Sequence, residues 1–153
     1  MTKTLSVAAI QHGTVIDHIN SGQALHIIRL LDLQKKNHKV TIGLNLPSKR
    51  LQYKDIIKIE NHVLSNDEAN EVTVLAPLVS INIIDNFEVV KKINTTLPSH
   101  IVNVFACPNP ACITQSEPVE TYFKIETHGN RVNFFCRYCE KSFDRNQVSE
   151  NIK

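Results

Sequence analysis

Cys107-Pro108-Asn109-Pro110-Ala111-Cys112 and Cys136-Arg137-Tyr138-Cys139 hold every cysteine of this 153-residue chain. Written as spacing, they are Cys-x4-Cys, a gap of 23 residues, then Cys-x2-Cys. Two close pairs on tight turns are what a tetrahedral ion requires, with four thiolates closing at about 2.3 Å each. Pro108 and Pro110 restrict the backbone inside the first pair and favour a turn over a helix. Four buried free thiols would have no reason to fall in two pairs. A redox Cys-x2-Cys would sit in a βαβ setting, and none surrounds it. The expectation is one structural Zn2+ held by Cys107, Cys112, Cys136 and Cys139. A closed four-sulfur set leaves no position for a catalytic water.

The spacing also divides the chain. The last third reads as a small metal-held unit, and the first two thirds must carry their own core. Asn94-Thr95-Thr96-Leu97-Pro98-Ser99 is polar with one proline and serves as the linker, giving expected domains 1–97 and 98–153. A module of about 55 residues is near the size at which a lone core is marginal, so metal would supply much of its folding free energy.

Upstream, apolar periodicity gives the elements. Leu5, Val7 and Ile10 open an extended segment over residues 5–19, with a break at Gly13. Asn20-Ser21-Gly22 is a capping signal, and Ala24, Ile27, Ile28 and Leu31 follow at helical spacing. Val40, Ile42, Leu44 and Leu46 alternate until Pro47, and a strand over 53–60 carries Ile57 and Ile59 on one face. Ser65-Asn66-Asp67-Glu68 is a capping box, followed by an inner face of Ala69, Val72 and Leu75 or Ala76 and stopped by Pro77. Val79, Ile81 and Ile83 alternate, Asp85-Asn86 turns the chain, and Phe87 and Val89 alternate after it. Strand, helix, strand, strand, helix, strand, with one added hairpin strand, is the split βαβ or ferredoxin-like order. The expected class is α+β: an antiparallel sheet with two helices on one face, followed by a small all-β unit of ribbon or rubredoxin-like kind. In that unit, hairpin strands flank His128-Gly129-Asn130, and Asn146 to Lys153 reads as a fraying tail.

Charge narrows the function. Residues 1–97 carry 11 Lys+Arg and 9 Asp+Glu; residues 98–153 carry 6 and 6. Four thiolates and one Zn2+ take the second unit to −2 and the whole chain near zero. A nucleic-acid-binding zinc ribbon, the alternative reading, would show a basic surface. Its supports are Arg137 and Arg145, with Tyr138 or Phe143 for stacking. No apolar run approaches the roughly 18 residues of a membrane span, and no export segment is visible, so the cytoplasm is expected and a membrane is not.

Some polar residues of the first unit sit oddly. A regular strand places Asp17 on the side of Val15 and Ile19, and His18 on the other. Lys54 and Lys58 share a face, and Lys91 and Lys92 end the last hairpin near Asn82. Each lysine alone reads as a solvated charge, and Asp17-His18 as a satisfied turn. Only convergence would make them a site for a phosphorylated ligand carrying a base and a sugar. No Gly-rich phosphate loop is present.

Taken together, Gly13-Thr14-Val15-Ile16-Asp17-His18-Ile19, Thr41-Ile42-Gly43-Leu44-Asn45-Leu46-Pro47-Ser48 and Lys54-Asp55-Ile56-Ile57-Lys58-Ile59-Glu60-Asn61 resemble the regulatory chain of aspartate carbamoyltransferase. So do Ile84-Asp85-Asn86-Phe87-Glu88-Val89-Val90 and the two cysteine turns through Glu140. The resemblance implies a non-catalytic allosteric subunit of pyrimidine biosynthesis. It implies a homodimer formed through the first domain, and a zinc domain docked on the catalytic chain. CTP, assisted by UTP, would inhibit and ATP would activate. By the same resemblance Asp17 meets the ribose, while Lys58 and Lys92 meet base, sugar or phosphates. His18 and Asn82 stand near phosphates or sugar, Val7, Ile10 and Val89 line the base pocket, and Lys54 belongs to a neighbouring effector subsite. Asn109, Tyr138 and Glu140 match positions near the catalytic-chain interface. The chain departs from the family pattern at Ala8, Phe87, Ala111 and His128.

Overall fold

The computed structural model describes residues 7–129 and 131–151. These divide into two compact units, with the break between Thr96 and Leu97. Leu5, which the sequence places in the first apolar patch, lies outside the described residues.

The first unit runs β1 (Gly13–Asn20), α1 (Ala24–Leu30), a 3-10 turn at Leu33–Lys35, β2 (Val40–Ser48), β3 (Gln52–Glu60), α2 (Asn66–Leu75), β4 (Ser80–Asp85) and β5 (Glu88–Ile93). The sheet order is β2-β3-β1-β4-β5, and each neighbouring pair is antiparallel. This is the expected ferredoxin-like sheet, with β5 added at its edge by a hairpin.

Side chains alternate across a pleated sheet, so residues directly opposite one another share a face. The row Ile42, Ile57, Ile16, Ile81, Ile93 crosses all five strands. Its three central members are fully buried. Ala24, Ile27 and Leu31 from the first helical segment, with Ala69, Val72 and Leu75 from α2, complete that core. The next row, Thr41, Lys58, Val15, Asn82, Lys92, lies on the opposite face and is mostly polar. One face of the sheet is thus packed, and the other carries the polar residues singled out above.

Local chemistry sets the element ends. At α2 the Glu68 amide donates to Ser65 Oγ and the Ser65 amide to Glu68 Oε1, both at 3.2 Å. This is the predicted capping box. At α1 the expected cap is not used: Gln23 is the N-cap and makes no side-chain cap bond. The carboxylate of Asp55, reaching from β3, accepts instead from the amides of Gly22 at 3.0 Å and Ala24 at 3.2 Å. A strand continuing through Pro47 also departs from expectation. Because β2 is an edge strand, the missing proline N–H need not be used in the ladder. Gly13, at φ +140, is required where it stands: a Cβ there would come within 1.9 Å of the Ile59 carbonyl oxygen. The hairpin turn sits one residue later than expected, with Asn86 and Phe87 both at positive φ.

His62, just before α2, packs against His38 with ring centroids 4.9 Å apart and the rings tilted by 31°. Its Nε2 is buried without a hydrogen-bond partner among the described residues. Burial holds its pKa below the usual histidine value; Glu68 opposes this, while His38 and Lys36 add to it. A histidine with a depressed folded pKa contributes stability that is present above its unfolded value of about 6.5. That contribution is lost as pH falls through the window between the unfolded and folded values. Followed by NMR, the His62 ring should titrate below about 6.5; a midpoint at or above that value would contradict the account.

The second unit holds β6 (His100–Val102), β7 (Phe105–Ala106), β8 (Tyr122–His128), β9 (Arg131–Cys136), β10 (Ser142–Asp144) and β11 (Ser149–Glu150). Its four-stranded sheet has the order β10-β9-β8-β6, and β11 pairs with β7. Phe134 is fully buried and meets Phe105 and Phe123 edge-on at 5.3 and 5.9 Å. The strand expected to lead into the first cysteine turn is two strands, broken at Asn103 with φ +61. The C-terminal stretch does not simply fray. Val148 is buried, Ser149 and Glu150 pair with Ala106 and Phe105, and the Asn151 amide donates to the Val104 carbonyl at 2.8 Å.

Candidate functional site

The two cysteine turns bring all four sulfurs within 4.8 Å of one another. Cys107 and Cys139 Sγ are 3.7 Å apart, and Cys112 and Cys136 Sγ 3.8 Å. A tetrahedron with metal–sulfur bonds of about 2.3 Å has edges of about 3.8 Å. A disulfide would need about 2.05 Å. The spacing therefore fits a single zinc ion and not bridges, and all four thiols are free.

The surroundings suit thiolates. Backbone amides donate to the sulfurs of Cys107, from Asn109, and of Cys136, from Cys139 and Tyr138. Thr114 Oγ1 donates to Cys112 Sγ at 3.2 Å. Burial still pushes the Cys107 and Cys136 thiols up. Burial acts the same way on Cys139, but hydrogen bonds from the Asn109 side chain and the Lys141 amide outweigh it and bring that thiol down to about 7. Buried thiolates need a compensating cation, which a divalent zinc supplies when bound.

Asn109 joins the two turns. Its Oδ1 accepts from the Ala111 amide at 3.0 Å while its side chain also reaches Cys139. Tyr138 and Glu140 are exposed on the second turn, Glu140 at φ +59. Of the three residues expected near an interface, two face outward and Asn109 is engaged inside the cysteine turns.

In the first unit the open sheet face gathers the polar residues. Between Ile16 and Ile19 the pairing of β1 with β3 slips, and His18 takes φ +58. This bulge corrects the regular-strand expectation. Ile19 turns into the core and is fully buried, while Asp17 stays opposite Ser80. The His18 Nδ1 lies 3.1 Å from Ser80 Oγ, so His18 shares the side of Asp17 and does not oppose it. The two do not form an acid–histidine dyad, because Asp17 Oδ1 accepts from the backbone amide of His18 at 2.6 Å.

Lys54 Nζ lies 2.9 and 3.2 Å from the two Asp17 oxygens. Lys58 is only 8% exposed, and its Nζ donates to the carbonyls of Val7 at 3.0 Å and Ala8 at 2.8 Å. Burial lowers its pKa and the Asp17 charge raises it. The ammonium thus pins the segment preceding β1 across the sheet. Val7 lies over Gly43, where an added Cβ would come within 3.0 Å of a Val7 methyl carbon. Asn82 stands opposite Lys92 in the row through Val15. Val89, 59% exposed, lies opposite Ile84 in the row through Gly13 on the same face. Ile10 is buried, and the neighbouring Gln11 carbonyl accepts from the Phe87 amide at 3.1 Å, tying the hairpin to that segment. Lys54, Lys58 and Lys92 stand on that face, where Asp17 is paired with Lys54, and the remaining positive charge favours an anion.

Sequence reasoning missed Ser80 and Asp55. For Asp55 the signal was present: alternation along β3 puts this acid on the face of Ile57 and Ile59.

Comparison with known proteins covers both units. The family described as aspartate carbamoyltransferase regulatory chain, allosteric domain, matches residues 5–96. The corresponding metal binding domain matches residues 99–149. The aspartate carbamoyltransferase regulatory chain of Chromobacterium violaceum is 45% identical over 150 residues, covering 98% of this chain and 99% of that one. That of Vibrio cholerae serotype O1 (strain M66-2) is 48% identical over 146 residues, covering 95% and 94%. The Tolumonas auensis counterpart is 47% identical over 148 residues, covering 97% and 96%. With both units matched in order and the four-sulfur centre in the second, the chain belongs to the aspartate carbamoyltransferase regulatory chain family.

Proposed function

We infer that the chain is a non-catalytic allosteric subunit that binds nucleoside triphosphates on the open face of its first sheet. The observation that carries this reading is the convergence of Lys54, Lys58 and Lys92 with Asp17, His18 and Asn82 on one face. The lysines suit a polyphosphate, Asp17 suits ribose hydroxyls, and the apolar Val7, Ile10 and Val89 suit a base. CTP, with UTP assisting, inhibits, and ATP activates. The effectors act by binding unequally to two states of the assembled enzyme. The step controlled is the first committed one of pyrimidine biosynthesis, in the cytoplasm.

The domains are 1–97 for nucleotide and 98–153 for zinc. The zinc domain docks on the catalytic chain of aspartate carbamoyltransferase, using a surface that includes Tyr138 and Glu140, with Asn109 shaping it from inside. Two regulatory chains pair through the first domain. Support comes from edge strand β2, where Ile42 and Leu44 are 39% and 48% exposed. Among the described residues, the four sulfurs suit one metal, the Asp17 carboxylate is held by Lys54 and the His18 amide, and the His18 ring lies against Ser80, which favours a binding role over a catalytic one. Among the described residues no helix is long and apolar enough to cross a membrane.

Calorimetric titration of the full chain tests the reading. CTP and ATP should each bind and should displace one another. Independent binding, or none with either nucleotide, would overturn it.

A further inference from the structure

Two bulges lie opposite the same four residues of β3. The register of β1 slips between its partners Ile57 and Asp55, and that of β2 slips between its partners Ile56 and Lys54. A bulge re-aims the side chains beside it, and it persists only where the surrounding structure holds it. Here the holding group is identifiable. Asp55 is fully buried and has no cation against its carboxylate among the described contacts. Its Oδ2 takes the amides of Gly22 and Ala24, just beyond β1, and its Oδ1 takes the amide of Asn45 at 3.0 Å. Asn45 sits inside the second bulge at φ +56, and its side chain bonds Ser21. Ile19, the first paired residue after the first bulge, is the cross-strand partner of Asp55.

We propose that Asp55 is a positioning residue for the open face: by holding the β2 bulge at Asn45 and the chain just beyond the β1 bulge at Gly22 and Ala24, it sets the aim of Asp17, His18 and Lys54. The proposal rests on the nucleotide reading above. Asp55 never meets the ligand, because it stands on the core side of β3. It acts through Lys54, its neighbour on the strand, and through the bulge that presents Asp17 to the Lys54 ammonium.

Asp55→Asn tests this at nearly constant volume. One acceptor oxygen becomes an NH2 group facing backbone N–H donors, so at least one amide loses its acceptor. In the full chain, CTP affinity measured by calorimetry should fall about tenfold, the scale of one charged hydrogen bond. A merely structural lesion would weaken every background alike. A positioning role predicts a split: Asp55→Asn adds little to Lys54→Ala but its full effect to Lys92→Ala. Unchanged affinity in a folded Asp55→Asn chain, or a loss fully additive with Lys54→Ala, overturns the proposal. If Asp55→Asn does not fold, Asn45→Ala replaces it. That change removes the bond to Ser21 and strains φ +56 while leaving the carboxylate in place. It must show the same Lys54-dependent loss, and an unaltered CTP affinity again overturns the proposal. If Lys54→Ala and Lys58→Ala themselves leave CTP binding intact, the nucleotide reading falls and the positioning role with it. If they weaken binding and the Asp55 and Asn45 variants do not, only the positioning role falls.

Discussion

Cys112→Ser should unfold the second unit while the first keeps its structure. The unit spans residues 97–153, 57 in all. Its apolar core is a few side chains around Phe134. Structural zinc sites contribute roughly 10 kcal/mol or more to folding, comparable with the entire stability of about 5–15 kcal/mol typical of a domain. Serine is a far poorer zinc ligand than a thiolate, and Cys112 is only 3% exposed, so the replaced side chain has no solvent route to compensate. NMR should show loss of dispersed signals from Phe123 and Phe134 with retention of those from Ile16 and Ile57. Zinc bound per chain should drop in parallel. A strong chelator should produce the same selective loss in the native sequence. Retention of both zinc and Phe134 dispersion in Cys112→Ser would rule out the four-sulfur site as the source of that stability.

Lys58→Ala should produce the largest loss of nucleotide affinity of any single change on the open sheet face. Lys58 is only 8% exposed, so the interactions of its ammonium are stronger than those of a surface lysine. Hydrogen bonds to charged groups are worth about 1.5–3 kcal/mol, which is roughly 10- to 100-fold in affinity. The change also releases the carbonyls of Val7 and Ala8, which Lys58 holds at 3.0 and 2.8 Å. Val7 would then lose its seat over Gly43, and the apolar side of the face would loosen with the charged side. Lys92→Ala should cost less, because Lys92 is exposed at the sheet edge. Calorimetry with CTP and ATP on both variants checks this order. A Lys58→Ala chain that binds as tightly as the native one would contradict it.

Much of this molecule was legible in its sequence, for physical reasons that also explain the failures. Alternation marked β2 and β3 as strands, but not their burial: β2 is bulged between Gly43 and Leu46 and leaves Ile42 and Leu44 exposed, while β3 is buried on both faces from Asp55 to Ile59. Ser65 and Glu68 satisfy each other locally, so the α2 cap could be read without the fold. The cysteine spacing needed only the geometry of a tetrahedral ion. What failed depended on distant partners. The bulge at Asp17 and His18 is a one-residue slip stabilised from β3, and nothing in Val15 to Ile19 signals it. The α1 cap is supplied by Asp55, more than 30 positions away in sequence. Ser149 and Glu150 make a strand too short to show a pattern; β7 gives it a partner. Asp55 is the instructive miss, since an acid on an apolar strand face announces a buried acceptor before its donors are known.

Reconstitution with the catalytic chain of aspartate carbamoyltransferase would show whether nucleotide binding by this chain reaches the enzyme. Aspartate saturation should be recorded with the catalytic chain alone, with this chain added, and then with CTP or ATP. Adding the chain should make the curve sigmoidal, CTP should move its midpoint to higher aspartate, and ATP should move it lower. Both shifts should shrink with Lys58→Ala. A saturation curve that the chain and both nucleotides leave unchanged would contradict an allosteric role.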